Sequence, residues 1–153
     1  MPESNAPDDA TRAAIAEYRA LAPRSLAEHL GVELLELGPE RVVATMPVDD
    51  RTRQPFGLLH GGASVALAET VASLGAWRGV DRARFAAVGL EINANHLRAV
   101  REGVVRAVGT PVHRGRTTQV WSIEIRDEAG RMVCIARCTM AIVPLPPDAQ
   151  RTS

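Results

Sequence analysis

One carboxylate, Glu69, stands in the run from Gly57 to Trp77, and it is the only formal charge there. At 100° per residue, Gly62, Val65, Ala66, Ala72, Ser73 and Ala76 share a helical face with Glu69, while Leu67, Val71 and Leu74 lie opposite. A helix that is apolar nearly all round is normally buried, so Glu69 enters surroundings that disfavour its charge. Such a carboxylate is either neutralised by an arginine or by backbone amides, or it serves as a general base or nucleophile. Small neighbours at Gly62, Ala66, Ser73 and Ala76 leave room for a substrate beside it, which favours chemistry. Ser73, one turn further on, can bond the carboxylate, position a water, or bond its own helix backbone.

His60-Gly61-Gly62 stands where this helix begins. Glycine there lets another group approach the backbone closely, and the free amides and positive end of the helix dipole can receive an oxygen that is gaining negative charge. Glu69 lies eight residues beyond Gly61, about 12 Å along a helix rising 1.5 Å per residue, so one chain does not readily bring both to the same carbonyl. Two antiparallel helices from two subunits do, and a twofold axis then makes two shared active sites in a homodimer. Gly62-Ala63-Ser64-Val65-Ala66 resembles a nucleophile elbow but ends in alanine, and the chain lacks the alternating strands and helices such a hydrolase needs.

The elements around this helix follow from periodicity. Ala14, Ile15, Tyr18 and Leu21 form an apolar stripe that predicts a helix from Thr11 to Ala22, ended by Pro23, and Ser25 can cap a shorter turn through His29. Val32 to Leu37 and Arg41 to Val48 read as a hairpin about Gly38-Pro39-Glu40. Four further strands are predicted at Ala86 to Leu97, Gly103 to His113, Thr117 to Asp127 and Met132 to Val143. Strands that follow one another, rather than alternating with helices, indicate an α+β fold with an antiparallel sheet of five to six strands wrapped round the helix. The expected boundaries are a frayed tail at residues 1–10, one domain at 11–143 and a Pro-rich flexible tail at 144–153.

Composition narrows the chemistry. The 153 residues carry 18 basic against 18 acidic side chains, so no broad positive field exists for nucleic acid or an anionic membrane. Every basic residue is arginine, which removes the phosphate-loop lysine, the pyridoxal Schiff base and any lysine nucleophile. His29, His60, His96 and His113 show no metal-ligand spacing, so no metal is expected. Cys134 and Cys138, four apart on a strand, are separated by about 13 Å and cannot bond to each other. The acidic start lacks the features of a secretory signal, and with two free thiols the expectation is a cytoplasmic protein. Glu69, His60 and four glycines leave the central run too few large apolar side chains for a membrane span.

Arg53-Gln54-Pro55-Phe56-Gly57-Leu58-Leu59-His60-Gly61-Gly62-Ala63, continuing to Leu67-Ala68-Glu69-Thr70, resembles the signature of hotdog-fold acyl-CoA thioesterases. Val88-Gly89-Leu90-Glu91-Ile92-Asn93-Ala94-Asn95-His96 and Gln119 to Ile125 extend the resemblance over about residues 12 to 143. Within the family it is similar to the branch that includes 1,4-dihydroxy-2-naphthoyl-CoA thioesterases of menaquinone synthesis and a proofreading thioesterase of the enterobactin pathway. The resemblance implies a hotdog fold, dimers that pair into tetramers, and an acyl-CoA or acyl-carrier-protein thioester as substrate. Coenzyme A would then be part of the substrate, with no separate cofactor. It implies Glu69 as the catalytic carboxylate, Gly61 as the oxyanion donor, Gln54 and His60 orienting the thioester, and Ser73 assisting Glu69 or its water. It places coenzyme A along the later strands, with Gly62, Val88, Gly89, His96, Arg98, Gly115, Arg116 and Thr117 as candidate contacts. A pocket near Phe56, Val65, Thr70, Ser73 and Trp77 would admit an aromatic ring or a medium aliphatic chain, and the resemblance implies an aryl acyl group. A dehydratase of 3-hydroxyacyl thioesters and a non-catalytic acyl-CoA-binding protein share the fold and stay open on sequence alone.

Overall fold

The computed structural model describes residues 7–21 and 23–146. Helix α1 spans Asp9–Leu21 and the one-turn α2 Leu26–His29, followed by strands β1 (Glu33–Leu37) and β2 (Val42–Pro47), and then the long helix α3 (Gly61–Arg78). Strands β3 (Phe85–His96), β4 (Val104–Arg114), β5 (Thr118–Arg126) and β6 (Met132–Pro144) complete the chain. The six strands form one antiparallel sheet in the order β1-β2-β4-β5-β6-β3, which wraps α3.

Expected boundaries move at both ends of the chain, each for a local reason. Helix α1 begins at Asp9 rather than Thr11, because the carboxylate of Asp8 accepts the N–H of Thr11 at 2.7 Å and caps the first turn. Residues 9 and 10 therefore belong to the helix rather than to a tail, and residues 1–6 lie outside the described residues. At the other end β6 continues to Pro144, and Leu145 donates its N–H to Arg84 O at 2.8 Å, tying these residues to the start of β3. The remainder of the expected C-terminal tail, from residue 147, lies outside the described residues. Helix α3 starts at Gly61, as the His60-Gly61-Gly62 run leads one to expect: Gly57 has a φ of 79°, and Leu59 donates to Val100 O at 2.7 Å, so the preceding segment is a loop bound to its neighbours.

The core lies between α3 and the inner face of the sheet. Leu67, Ala68, Val71 and Ala72 of the helix meet Met46, Trp121, Ile123 and Met140 of the strands, all fully buried. Close approach depends on two glycines, since a side chain on Gly75 would run into the indole of Trp121 and one on Gly109 into Val71. Trp121 keeps its indole N–H satisfied by donating to Gln119 Oε1 at 3.0 Å. Cys134 and Cys138 are both free and buried on the inner face of β6. Among the described residues no helix is long and apolar enough to cross a membrane.

Candidate active site

The loop before α3 is built to present two side chains. Thr52, only 1% exposed, donates its hydroxyl to Pro47 O at 2.8 Å and accepts the N–H of Asp49 at 3.0 Å. Its carbonyl then accepts the N–H of His60 at 2.8 Å, which fixes where the helix begins. Gln54 donates its N–H to Leu58 O at 2.8 Å, while its Oε1 accepts the N–H of Phe56. The Gln54 side chain is thereby left with its amide N–H groups as donors.

His60 is the N-cap of α3, and its Nδ1 accepts the N–H of Gly62 at 2.8 Å. In the neutral ring the proton then resides on Nε2, turning a donor outward. Ala63 and Ser64 both donate to His60 O, at 3.0 and 3.2 Å. Gly61 alone in this first turn keeps an N–H without a partner among the described residues. The imidazole of His96 packs over the same point, so that a Cβ on Gly61 would lie 2.8 Å from Nε2. Gln54, Gly61, His96 and Arg98 line one recess of about 340 Å³ here.

Glu69 lies further along α3, half-buried and pressed against β3 at Gly89. Among the described residues it makes no ion pair and no hydrogen bond, so the arginine-neutralised alternative does not describe it. Ser73 does not bond the carboxylate either: its hydroxyl donates to Met140 Sδ at 3.8 Å. Cys138 donates to the same sulfur at 3.6 Å. Burial pushes the Cys138 thiol up to about 11, and the nearby charges of Glu69 and Glu91 add to the push, so it stays protonated beside the carboxylate. Gly62, Val65, Ala66, Glu69 and Ser73 form a half-exposed or exposed face of α3, whereas Ala72 and Ala76 are buried.

The remaining candidates separate. Thr70 donates its hydroxyl to Ala66 O at 2.7 Å and, with Leu74, Tyr18, Val32 and Leu34, lines a second recess of about 390 Å³ between α3, α1 and β1. Trp77 is taken up elsewhere, edge-on to Tyr18 at 6.5 Å and under the Arg82 guanidinium at 4.5 Å, in a cluster that fastens α1 to the end of α3. Phe56 is 83% exposed in the loop, and Val88 faces outward on the edge strand β3. Gly115, Arg116 and Thr117 form the β4–β5 turn, with Gly115 donating to Thr118 O at 2.8 Å. That turn lies at the C-terminal end of α3, where Gly79 approaches Gln119, whereas His96 and Arg98 lie at its N-terminal end. Neither Arg98 nor Arg116 makes an ion pair among the described residues. Thr52, Met140 and Cys138 escaped the sequence reading: Thr52 precedes the recognised motif, and nothing in a linear sequence puts Met140 opposite Gly89.

Comparison with known proteins bears on the family and the fold. The profile of the family described as Thioesterase superfamily matches residues 56–134. The proofreading thioesterase EntH of Cronobacter turicensis is 52% identical over 119 residues, covering 78% of this chain and 86% of that protein. The 1,4-dihydroxy-2-naphthoyl-CoA hydrolase of Escherichia coli is 49% identical over 124 residues, covering 81% and 90%. A solved structure of a thioesterase PA1618 variant from Pseudomonas aeruginosa superposes with a TM-score of 0.81 at 47% identity, covering 91% of this chain and 96% of that one.

Proposed function

Since the chain belongs to the thioesterase superfamily, has the hotdog fold and is a thioester hydrolase, we propose that it cleaves an aryl-CoA thioester with Glu69 as its catalytic carboxylate. The observation that carries this reading is that Glu69 lies half-buried on the open face of α3 with no cation and no hydrogen-bond donor among the described residues spending its charge. The aryl preference rests on the 1,4-dihydroxy-2-naphthoyl-CoA hydrolase of Escherichia coli, and the recess beside Thr70 and Leu74 offers the acyl group a place.

In this reading the Gly61 N–H receives the carbonyl oxygen as it gains charge, at the positive end of α3. Gln54 donates through its free amide and His60 through Nε2–H, and both orient the thioester. Glu69 either takes a proton from water, whose oxygen then bonds the carbonyl carbon, or bonds that carbon itself to give an anhydride that water opens. In both routes the carbon–sulfur bond breaks and the thiolate leaves with a proton to become free coenzyme A. Label from oxygen-18 water found in the Glu69 carboxyl after a single turnover marks the anhydride route, with water opening the anhydride at the Glu69 carbonyl.

Gly61 and Glu69 are eight residues apart on one helix, about 12 Å, which supports active sites shared between two chains. Two further features support a second copy: β3 ends the sheet with Val88 and Leu90 exposed, and the Glu69 face of α3 is only half covered. Antiparallel pairing would also bring Arg116 of one chain toward Arg98 of the other, placing two unpaired guanidinium groups near the phosphates of one coenzyme A. The free buried thiols suit a reducing compartment and support a cytoplasmic location. The reading is tested by Glu69→Gln, which preserves shape and removes the charge. Thiol release from an aryl-CoA should fall at least about 1,000-fold with substrate binding retained, and near-normal turnover would overturn the assignment.

A further inference from the structure

The structure assigns Gly89 as the positioning residue for Glu69: the bare backbone of β3 at this position is the seat that holds the carboxylate. This rests on the reading of Glu69 as the catalytic group. A Cβ on Gly89 would fall onto Glu69 Oε1, with Cδ at 3.3 Å and Cγ at 4.0 Å. The space a side chain would occupy is therefore filled by the acid. Oε2 is not among those near atoms, so one carboxylate oxygen is parked against the strand and the other is turned away from it.

Backbone conformation does not explain the glycine. The glycines with positive φ are Gly31, Gly57, Gly103 and Gly130, so the chain at Gly89 accepts an L side chain as far as φ is concerned. A strand-interior glycine without that need marks a bulge or a close approach, and the register of β3 against β6 does shift between Gly89 and Glu91. The close approach is the part that has a chemical partner.

The remaining walls make the seat decisive. Glutamate has three side-chain torsions, and no hydrogen bond or ion pair among the described residues fixes them. Met140 lies opposite Gly89 in the β3–β6 register, and its sulfur accepts from both Ser73 and Cys138. Ser73 and Cys138 thus give their protons to sulfur rather than to the carboxylate. What meets Glu69 is the bare backbone at Gly89 rather than a donor. A seat of this kind orients the acid without neutralising it, which a proton acceptor or nucleophile requires.

The test is a cycle of four proteins: the natural chain, Gly89→Ala, Glu69→Asp and the double variant. The added methyl must push the longer carboxylate by about 1 Å, and a misplacement of that size costs about 100-fold in kcat, with KM changed little. Aspartate is one methylene shorter and vacates the seat, so in the Glu69→Asp background the same methyl should cost no more than about twofold. An equal loss in both backgrounds would mean that Gly89 matters only to the strand, and would overturn the assignment. Should Gly89→Ala not fold, Gly89→Ala combined with Glu69→Ala provides the second arm. Recovery of a cooperative thermal transition in that protein supports the seat, and a double variant that also fails to fold overturns it. Activity retained in Glu69→Gln would instead defeat the catalytic reading, while the thermal cycle would still report whether Glu69 fills the space at Gly89.

Discussion

His60 Nδ1 accepts the N–H of Gly62 at 2.8 Å, and one bond thereby consumes one amide at the start of α3 while setting the ring's outward donor. Capping and catalysis can be separated by substitution. His60→Asn keeps an accepting side chain at the N-cap, so its stability should stay near that of the natural chain, whereas His60→Ala should lose about 1 kcal/mol. Both lose the Nε2–H, so both should lose turnover by similar factors. Denaturant titration beside a thiol-release assay reads the two effects, and full activity in His60→Asn would leave the histidine a cap and nothing more.

Shared sites make a prediction about mixtures. Gly61→Pro removes the one N–H of the first turn that lacks a partner among the described residues, while placing proline at the helical position that accepts it best. The ring meets His96, an exposed side chain with room to swing aside. Each homodimer of Gly61→Pro or Glu69→Ala should be inactive. After complete exchange of equal amounts, half the dimers are mixed and each holds one intact site, so about a quarter of the natural rate should return. Exchange confirmed by mass with no recovery would place both groups of a working site in one chain.

How far this arrangement could be read in advance depended on where the information lies. The strand order of types, the lone acid in an apolar helix and the glycines before it are local patterns, and the sheet, α3 and the helix-start amides follow from them. The capping bond of His60 was within reach too, since a side-chain acceptor two residues before a glycine amide at a helix start is a recurring device. The seat at Gly89 was not, because it needs the register of β3 on β6 and a bulge, which are set by long-range packing. The surroundings of Trp77 lie beyond local pattern for the same reason: helix α1, whose docking no local pattern specifies, brings Tyr18 against it while Glu17 pairs with Arg78 and Arg82.

The packing of Trp77 has its own test. Arg82 stacks on Trp77 at 4.5 Å and pairs with Glu17, away from Gly61 and Glu69. Arg82→Ala should lower stability by about 1 kcal/mol, because the stacked cation and its pair are partly exposed. Its kcat/KM for an aryl-CoA should match the natural chain if this cluster is structural, and a selective loss of turnover at unchanged stability would place Trp77 in the substrate's surroundings.

The last prediction concerns alkaline pH. Burial raises the Cys138 thiol from its ordinary 9.0 to about 11, with Glu69 and Glu91 adding repulsion, and burial raises Cys134 as well. Below pH 9 folded and unfolded chains both keep these protons, so the thiols add no slope to stability there. Above it the unfolded chain releases protons that the folded chain retains, so stability should fall as pH rises from 9 through 11. Denaturant midpoints measured over that range should fall less steeply in Cys138→Ala, whatever its stability at neutral pH. The same thiol also reports on the acid beside it. Removing the charge in Glu69→Gln should let Cys138 ionise at a lower pH, followed by thiolate absorbance, though still above 9.0 because burial is the larger cause. An unchanged ionisation midpoint would show that the carboxylate lies too far from the thiol to share one niche with it.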